Sequence, residues 1–408
     1  MGSVPVLLLL AHILSMSGFS TFAALLPELR DLWRLSNSEA GLIGGMFFAG
    51  YIATVSYWTA LTDRIDARKV YAAGSVIAAA ASASFGTLAS GLGSALFCQA
   101  LLGVGIAATY MPGLRLLSDR VSGPSQSRYI AFYTAFFGIG TALSLALAGA
   151  IAPIAGWRAA FVVSAAGPIA AGLLVLYSVT ASPSAARAGA SFSVGSLFPV
   201  RAWRAVLANR AVAGYTAGYA AHCLELFGSR AWMVAFLAFS STLHAQDTFP
   251  WQLPAIAALV NLAAVPASIL GNEVALRIGR RRWIVTAMMG SGSSGILLGL
   301  GAPWHWAIVL GMLVGYSMLV MAESATLTAG LVAAAPSELR GAAMGLYSLA
   351  GFGGGMLGPV IFGAALDAAG AGRTPLAWAI AYGAIGAGCL ASPFVTRRSV
   401  QSTKNTPQ

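Results

Sequence analysis

Residues 70–114 read VYAAGSVIAAAASASFGTLASGLGSALFCQALLGVGIAATYMPGL, with no Asp, Glu, Lys, Arg or His among them. Arg68 and Lys69 stand directly before this stretch and Arg115 directly after it. Ser90-Gly91 divides it into two runs, 70–90 and 92–114. Each is about as long as a helix must be to cross a hydrocarbon core of about 30 Å. Two membrane-crossing helices joined by a tight turn are predicted. Working outward, the same pattern recurs at 4–27, 39–61, 128–153, 157–180, 210–239, 250–274, 283–302, 304–333, 341–367 and 375–396. Charged residues are 9% of the 408, and 48 are glycine. A soluble domain of this size carries far more charge. The expected fold class is an all-α membrane protein of about twelve transmembrane helices, packed through small residues.

The net charge of +11 is an orientation signal, because the cations sit between the runs. With the N-terminus inside, eighteen of the 23 Lys and Arg fall on inside segments. Four (Arg30, Arg34, Arg158 and Arg373) fall outside, and Arg230 lies within a run. Both termini are therefore expected in the cytoplasm of a multi-pass cell-membrane protein, the inner membrane if the source is bacterial. This distribution leaves no nucleic-acid patch. Cys98, Cys223 and Cys389 all lie in apolar runs, with no disulfide or zinc spacing. The first run lacks a basic leader and a cleavage site, so it is expected to be retained. Trp58, Trp157, Trp232, Trp251, Trp304, Trp306 and Trp378 lie toward run ends, as in an aromatic belt.

The chain repeats itself. Pro124-Ser125-x-x-Arg128 precedes the fifth run, and Pro336-Ser337-x-x-Arg340 the eleventh. Arg64-Ile65-Asp66-Ala67-Arg68-Lys69 follows the second, and Arg277-Ile278-Gly279-Arg280-Arg281-Arg282 the eighth. The separations, 212 and 213 positions, agree within one residue. Expected are two six-helix bundles, 1–180 and 210–398, a cytoplasmic linker at 181–209 and a cytoplasmic tail at 399–408. Parallel halves of this kind are a transporter architecture, with the site near the midplane.

The loop from Thr59 to Lys69 resembles the signature G-x-x-x-D-R-x-G-R-[RK] of the major facilitator superfamily. Asp63, Arg64, Arg68 and Lys69 match, while Thr59 and Asp66 replace the two glycines. The resemblance covers nearly the whole chain. It implies the pseudo-symmetric two-bundle fold and a cytoplasmic latch at this loop. Gly345, Gly354, Gly358, Pro359 and Gly363 resemble a pattern that the family's drug/proton antiporters carry on the fifth helix. Here it lies on the eleventh, so packing and bending are its expected roles. Gln99 stands where relatives carry an arginine ahead of Gly103-Val104-Gly105.

Among the polar side chains in or at the ends of the runs, seven stand out: His12, Gln99, Arg115, His222, Glu225, Arg230 and Glu323. They lie on the first, fourth, seventh and tenth helices, which the resemblance implies line the central cavity. An ionised carboxylate in mid-membrane is expensive, so Glu225 is the leading candidate to take a proton or orient a substrate. His222, three residues earlier on the same face, is expected to tune it. Arg230 either attracts an anion, offsets Glu225 or snorkels to an interface. Arg115 and Glu323 are a candidate inner gate. His12 reads more readily as a packed histidine than as a pathway group.

A secondary active transporter, proton-coupled and working by alternating access, is the expected function. Its substrate is expected to be a small organic anion or metabolite. The main alternative is a drug/proton antiporter for cationic or amphipathic compounds. A membrane enzyme would need a fuller nucleophile or metal constellation, and a sensor would need a signalling domain. No cofactor or metal motif is present, and no G-x-x-x-x-G-K-[ST] for ATP. The expected partners are the substrate, protons and the bilayer, with a monomer sufficient.

Overall fold

The structure, a computed structural model, describes residues 3–121, 124–181, 200–244 and 249–393. Among these every regular element is helical. In chain order they are α1 (Ser3–Ser15), α2 (Thr21–Leu32), α3 (Asn37–Leu61), α4 (Ala67–Leu88), α5 (Leu92–Ser118), α6 (Pro124–Ser164), α7 (Ala166–Ser178) and α8 (Val200–Ala208). There follow α9 (Arg210–Thr242), α10 (Leu253–Ile278), α11 (Arg280–Leu300), α12 (Trp306–Ala322), α13 (Ser324–Ala334), α14 (Arg340–Ala368) and α15 (Pro375–Leu390). Among the described residues nine segments are long and apolar enough to cross a membrane, and Val4–Ser15 and Pro375–Leu390 are shorter apolar helices. One of the nine, Arg128–Ser178, is two crossings divided at Gly156, which brings the apolar segments to twelve. Gly156 has φ +82°, a left-handed conformation that only glycine adopts freely. Residues 182–199 of the expected linker and the tail at 399–408 lie outside the described residues.

Contacts divide the chain into two units. The first comprises Met1–Arg34, Met46–Phe198 and Trp251–Leu262. In it α4 and α5 meet along a seam of small residues, where an added Cβ at Gly74 or Gly105 would run into Ala108 or Ala78. The first run is not one helix, as its hydropathy predicts, but breaks at residues 16–20 between α1 and α2. Met16-Ser17-Gly18-Phe19-Ser20 explains the break, since glycine and serine together bend membrane helices. Serines meet the exposed backbone: Ser20 N–H donates to Ser144 Oγ (2.9 Å), and Ser17 Oγ–H to the Ser164 carbonyl (2.6 Å).

The second unit comprises Leu35–Gly45, Pro199–Pro250 and Ala263–Gln408. Its principal seam joins α9 to α14. Gly354 and Gly358 of α14 press on the α9 backbone at Ala220, Leu224 and Gly228, so an added Cβ has no room. Pro359 lacks an N–H, and its carbonyl accepts from Trp232 Nε1 (3.0 Å). The expected packing role does not extend to Gly345, where an added Cβ meets nothing within 4 Å. Trp232 and Trp378 depart from the expected aromatic belt. Both are buried, with Trp232 stacked on Phe362 (5.5 Å between centroids) and Trp378 edge-on to it (5.8 Å). Near the end of α14, the Asp367 carboxylate accepts four hydrogen bonds from the first turn of α3. The donors are Asn37 N (3.1 Å), Asn37 Nδ2 (2.8 Å), Ser38 N (2.8 Å) and Ser38 Oγ (2.6 Å). These satisfy helix-start N–H groups that the helix itself cannot.

Candidate functional site

The second unit gathers ionisable side chains inside its apolar helices. Glu225 and His222 project from the middle of α9, and both are buried. The tenth run, predicted as one helix, is interrupted at Glu323 between α12 and α13. The Ala322 carbonyl beside the break accepts from Trp283 Nε1 (3.0 Å). Interrupted helices of this kind place polar groups inside membrane proteins without leaving backbone unpaired.

Spacing along α9 predicts a His222–Glu225 pair, but the bonding partner of His222 is Glu323. His222 Nδ1 and Glu323 Oε1 are 3.1 Å apart, with both residues almost wholly buried. Either the imidazole N–H or the carboxylic O–H donates, so a single proton has two homes in this bond. Glu225 instead accepts from Ser291 Oγ on α11 (2.8 Å). Each carboxyl group keeps one buried oxygen, Glu225 Oε1 and Glu323 Oε2, without a hydrogen-bond partner among the described residues. An aromatic column backs the histidine: Tyr347 stacks on Tyr219 (3.8 Å) and Tyr219 on His222 (5.7 Å). Tyr347 is anchored in turn by Thr328, with 3.0 Å between hydroxyls.

Arg230 is on the same helix, one to two turns beyond Glu225. It is half-buried, and its Nη2 rests 3.6 Å from Met321 Sδ beside the α12–α13 break. Among the described residues no carboxylate lies within ion-pair distance of its guanidinium.

The other predicted residues lie in the first unit. His12 is sealed in an aromatic box, stacked on Tyr133 (4.3 Å) and edge-on to Tyr110 (5.2 Å). Neither of its ring nitrogens has a hydrogen-bond partner among the described residues. Gln99 is buried with its Oε1 unpaired. Arg115, the suggested gate partner of Glu323, binds within its own unit to Asp63 Oδ1 (2.5 Å) and Thr62 Oγ1 (2.7 Å). Arg68 grips Asp66 (2.6 Å) and the Val179 carbonyl (2.7 Å). Asp66, which replaces a signature glycine, caps α4 by accepting from Arg68 N (3.0 Å). Burial raises the Asp66 carboxyl, but the Arg68 hydrogen bonds and charge outweigh it and hold the group below its ordinary value. Arg64 is exposed. Among the described residues, no group of three or more His, Cys, Asp or Glu is placed to hold a metal ion.

Sequence reading missed Ser291, Trp283 and Met321. Only Ser291 left a signal, as part of Gly290-Ser291-Gly292-Ser293-Ser294 in an otherwise apolar run.

The family model of the Major Facilitator Superfamily matches residues 8–359. The chain belongs to this superfamily. Membership makes it a multi-pass membrane protein, and its fold is that of solved transporters. A bacterial homologue of the human lysosomal transporter Spinster, solved inward-facing and unoccupied, has a TM-score of 0.73 at 15% identity. That match covers 98% of this chain and 95% of the other. The nucleoside transporter NupG has a TM-score of 0.75 at 15% identity, covering 97% of this chain and 100% of its own. At such identities the likeness is one of fold. Among curated superfamily relatives, synaptic vesicle glycoprotein 2A of Rattus norvegicus is 28% identical over 132 residues, 32% of this chain. The match spans 18% of that protein's length.

Proposed function

We propose that this protein is a proton-coupled secondary transporter of a small organic anion. Glu225 and the His222–Glu323 pair would carry the proton, and Arg230 would receive the substrate's negative charge. The reading rests on one observation: two wholly buried carboxyl groups within apolar helices each keep an oxygen without a partner. Such a group is costly when ionised, so a reversible proton is the economical way to keep it there. Arg230 has a thioether for a neighbour and, among the described residues, no carboxylate within ion-pair distance, which leaves it to take its counter-ion from a substrate in this reading. In this reading the transporter works by alternating access. Both termini face the cytoplasm, and a monomer suffices. The partnerless oxygens Glu225 Oε1 and Glu323 Oε2 also favour a second reading, export of cationic drugs against protons.

Flux into proteoliposomes under an imposed pH gradient tests the proposal, with carboxylates, nucleosides and cationic dyes as substrates. Gradient-driven carboxylate flux should disappear in Glu225→Gln while the protein stays folded, and Arg230→Gln should raise KM for the anion by at least about tenfold. Gradient-driven flux retained in Glu225→Gln would reject the proton role. Flux of dyes and not carboxylates would replace the anion reading with the second one.

A further inference from the structure

The two halves carry the same arginine loop in different electrostatic states. In the first, Arg68 is paired with Asp66, and Arg115 closes on Asp63. In the second, Gly279 occupies the place of Asp66 and the loop holds no acid. Among the described residues, Arg280, Arg281 and Arg282 have no carboxylate within ion-pair distance. All three line a cavity of about 500 Å³ within the second unit. Behind them the walls are largely apolar: Tyr215, Met288 and Leu327 stand among small residues, Ala217 and Gly218 of α9, Ala333 of α13 and Gly388 of α15. The small residues leave the space.

We propose that this cavity seats an anionic phospholipid, its phosphate on Arg280–Arg282 and an acyl chain along the apolar wall. A guanidinium presents paired donors that match phosphate oxygens. The loop joins two membrane-crossing helices, so it lies at headgroup depth. Basic pockets between such helices are suited to anionic lipid heads. Leu276, Ile278 and Met289 on the flanking elements are exposed apolar side chains that face hydrocarbon in a bilayer. A free phosphate would satisfy the arginines and leave the apolar wall empty. An amphiphile satisfies both.

The test is native mass spectrometry of the full-length protein titrated with phosphatidylglycerol, with phosphatidylcholine and inorganic phosphate as rival probes. Wild type should retain phosphatidylglycerol in preference to phosphatidylcholine. The triple variant Arg280→Gln, Arg281→Gln, Arg282→Gln should lose that retention by at least about tenfold. Ala217→Phe keeps every arginine and fills the cavity, and it too should lower retention. Circular dichroism verifies that both variants stay helical; should the triple variant unfold, Ala217→Phe alone decides. Retention unchanged in Ala217→Phe would reduce the effect to surface attraction and overturn the seat. Displacement of the lipid by millimolar inorganic phosphate would equally overturn it, as a plain phosphate site.

Discussion

The two units bury polar side chains in opposite ways. In the first, the interior groups carry no carboxylate: His12 in its aromatic box and Gln99 on α5. Its ion pairs, among them Asp63–Arg115 and Asp66–Arg68, gather at loops and helix ends. In the second, Glu225, Glu323 and His222 are inside, and the matching loop has been emptied of acid. A repeated scaffold has thus been used asymmetrically. Packing residues are distributed over both halves, while costly charge is confined to one. Ionisable groups kept within a membrane at such expense are what the proposed proton role rests on.

Breaking the His222–Glu323 bond should have the largest effect. In His222→Ala, Glu323 loses its bonding partner, a loss of about 1–3 kcal/mol in stability. Gradient-driven flux should fall about a hundredfold if the pair relays protons. Thermal melting and proteoliposome flux measure the two separately. A variant that melts early but transports normally would make the second interior as structural as the first.

A smaller effect is expected at the first unit's loop. Asp66→Asn retains a helix cap and loses the Arg68 ion pair, at about 0.5–1 kcal/mol. The native carboxyl is held below its ordinary value, 3.8. Its contribution is therefore complete above that value and is lost as pH falls through the lower, folded one. Acid melting curves should show the wild-type advantage over Asp66→Asn shrinking only below that ordinary value. A difference that vanished near neutrality would mean the pair is not what steadies the loop.

The smallest effect should come from His12→Phe. Both imidazole nitrogens are already without partners, and a phenyl ring preserves the stack on Tyr133. Melting should be unchanged or higher, and flux should stay within about twofold. A shifted pH profile of transport would place a proton carrier in the first unit and end the asymmetry.

Most of the fold was legible because hydropathy and positive charge act along the chain. The run lengths, the Gly156 break and the repeated loop all declared themselves there. What escaped acts across it. Spacing on α9 places His222 beside Glu225, yet cannot show that Glu323, on another helix, lies closer. The breaks at 16–20 and at Glu323 were masked because the runs on either side of them are apolar and continuous in length. Trp232 and Trp378 looked like interface anchors because nothing local distinguishes an indole against lipid from one against Phe362. The seam at Gly354 and Gly358 was foreseen, but the open space around Gly345 depends on the neighbouring elements.

The Asp367 carboxylate, which takes four donors from Asn37 and Ser38, gives the joint between α3 and α14 a threshold. Four bonds converging on one small anion cannot be surrendered gradually. Once α3 slips by a bond length, all four stretch together, and water must replace them nearly at once. Any motion that parts these two helices must therefore break this cluster first, like a catch rather than a spring.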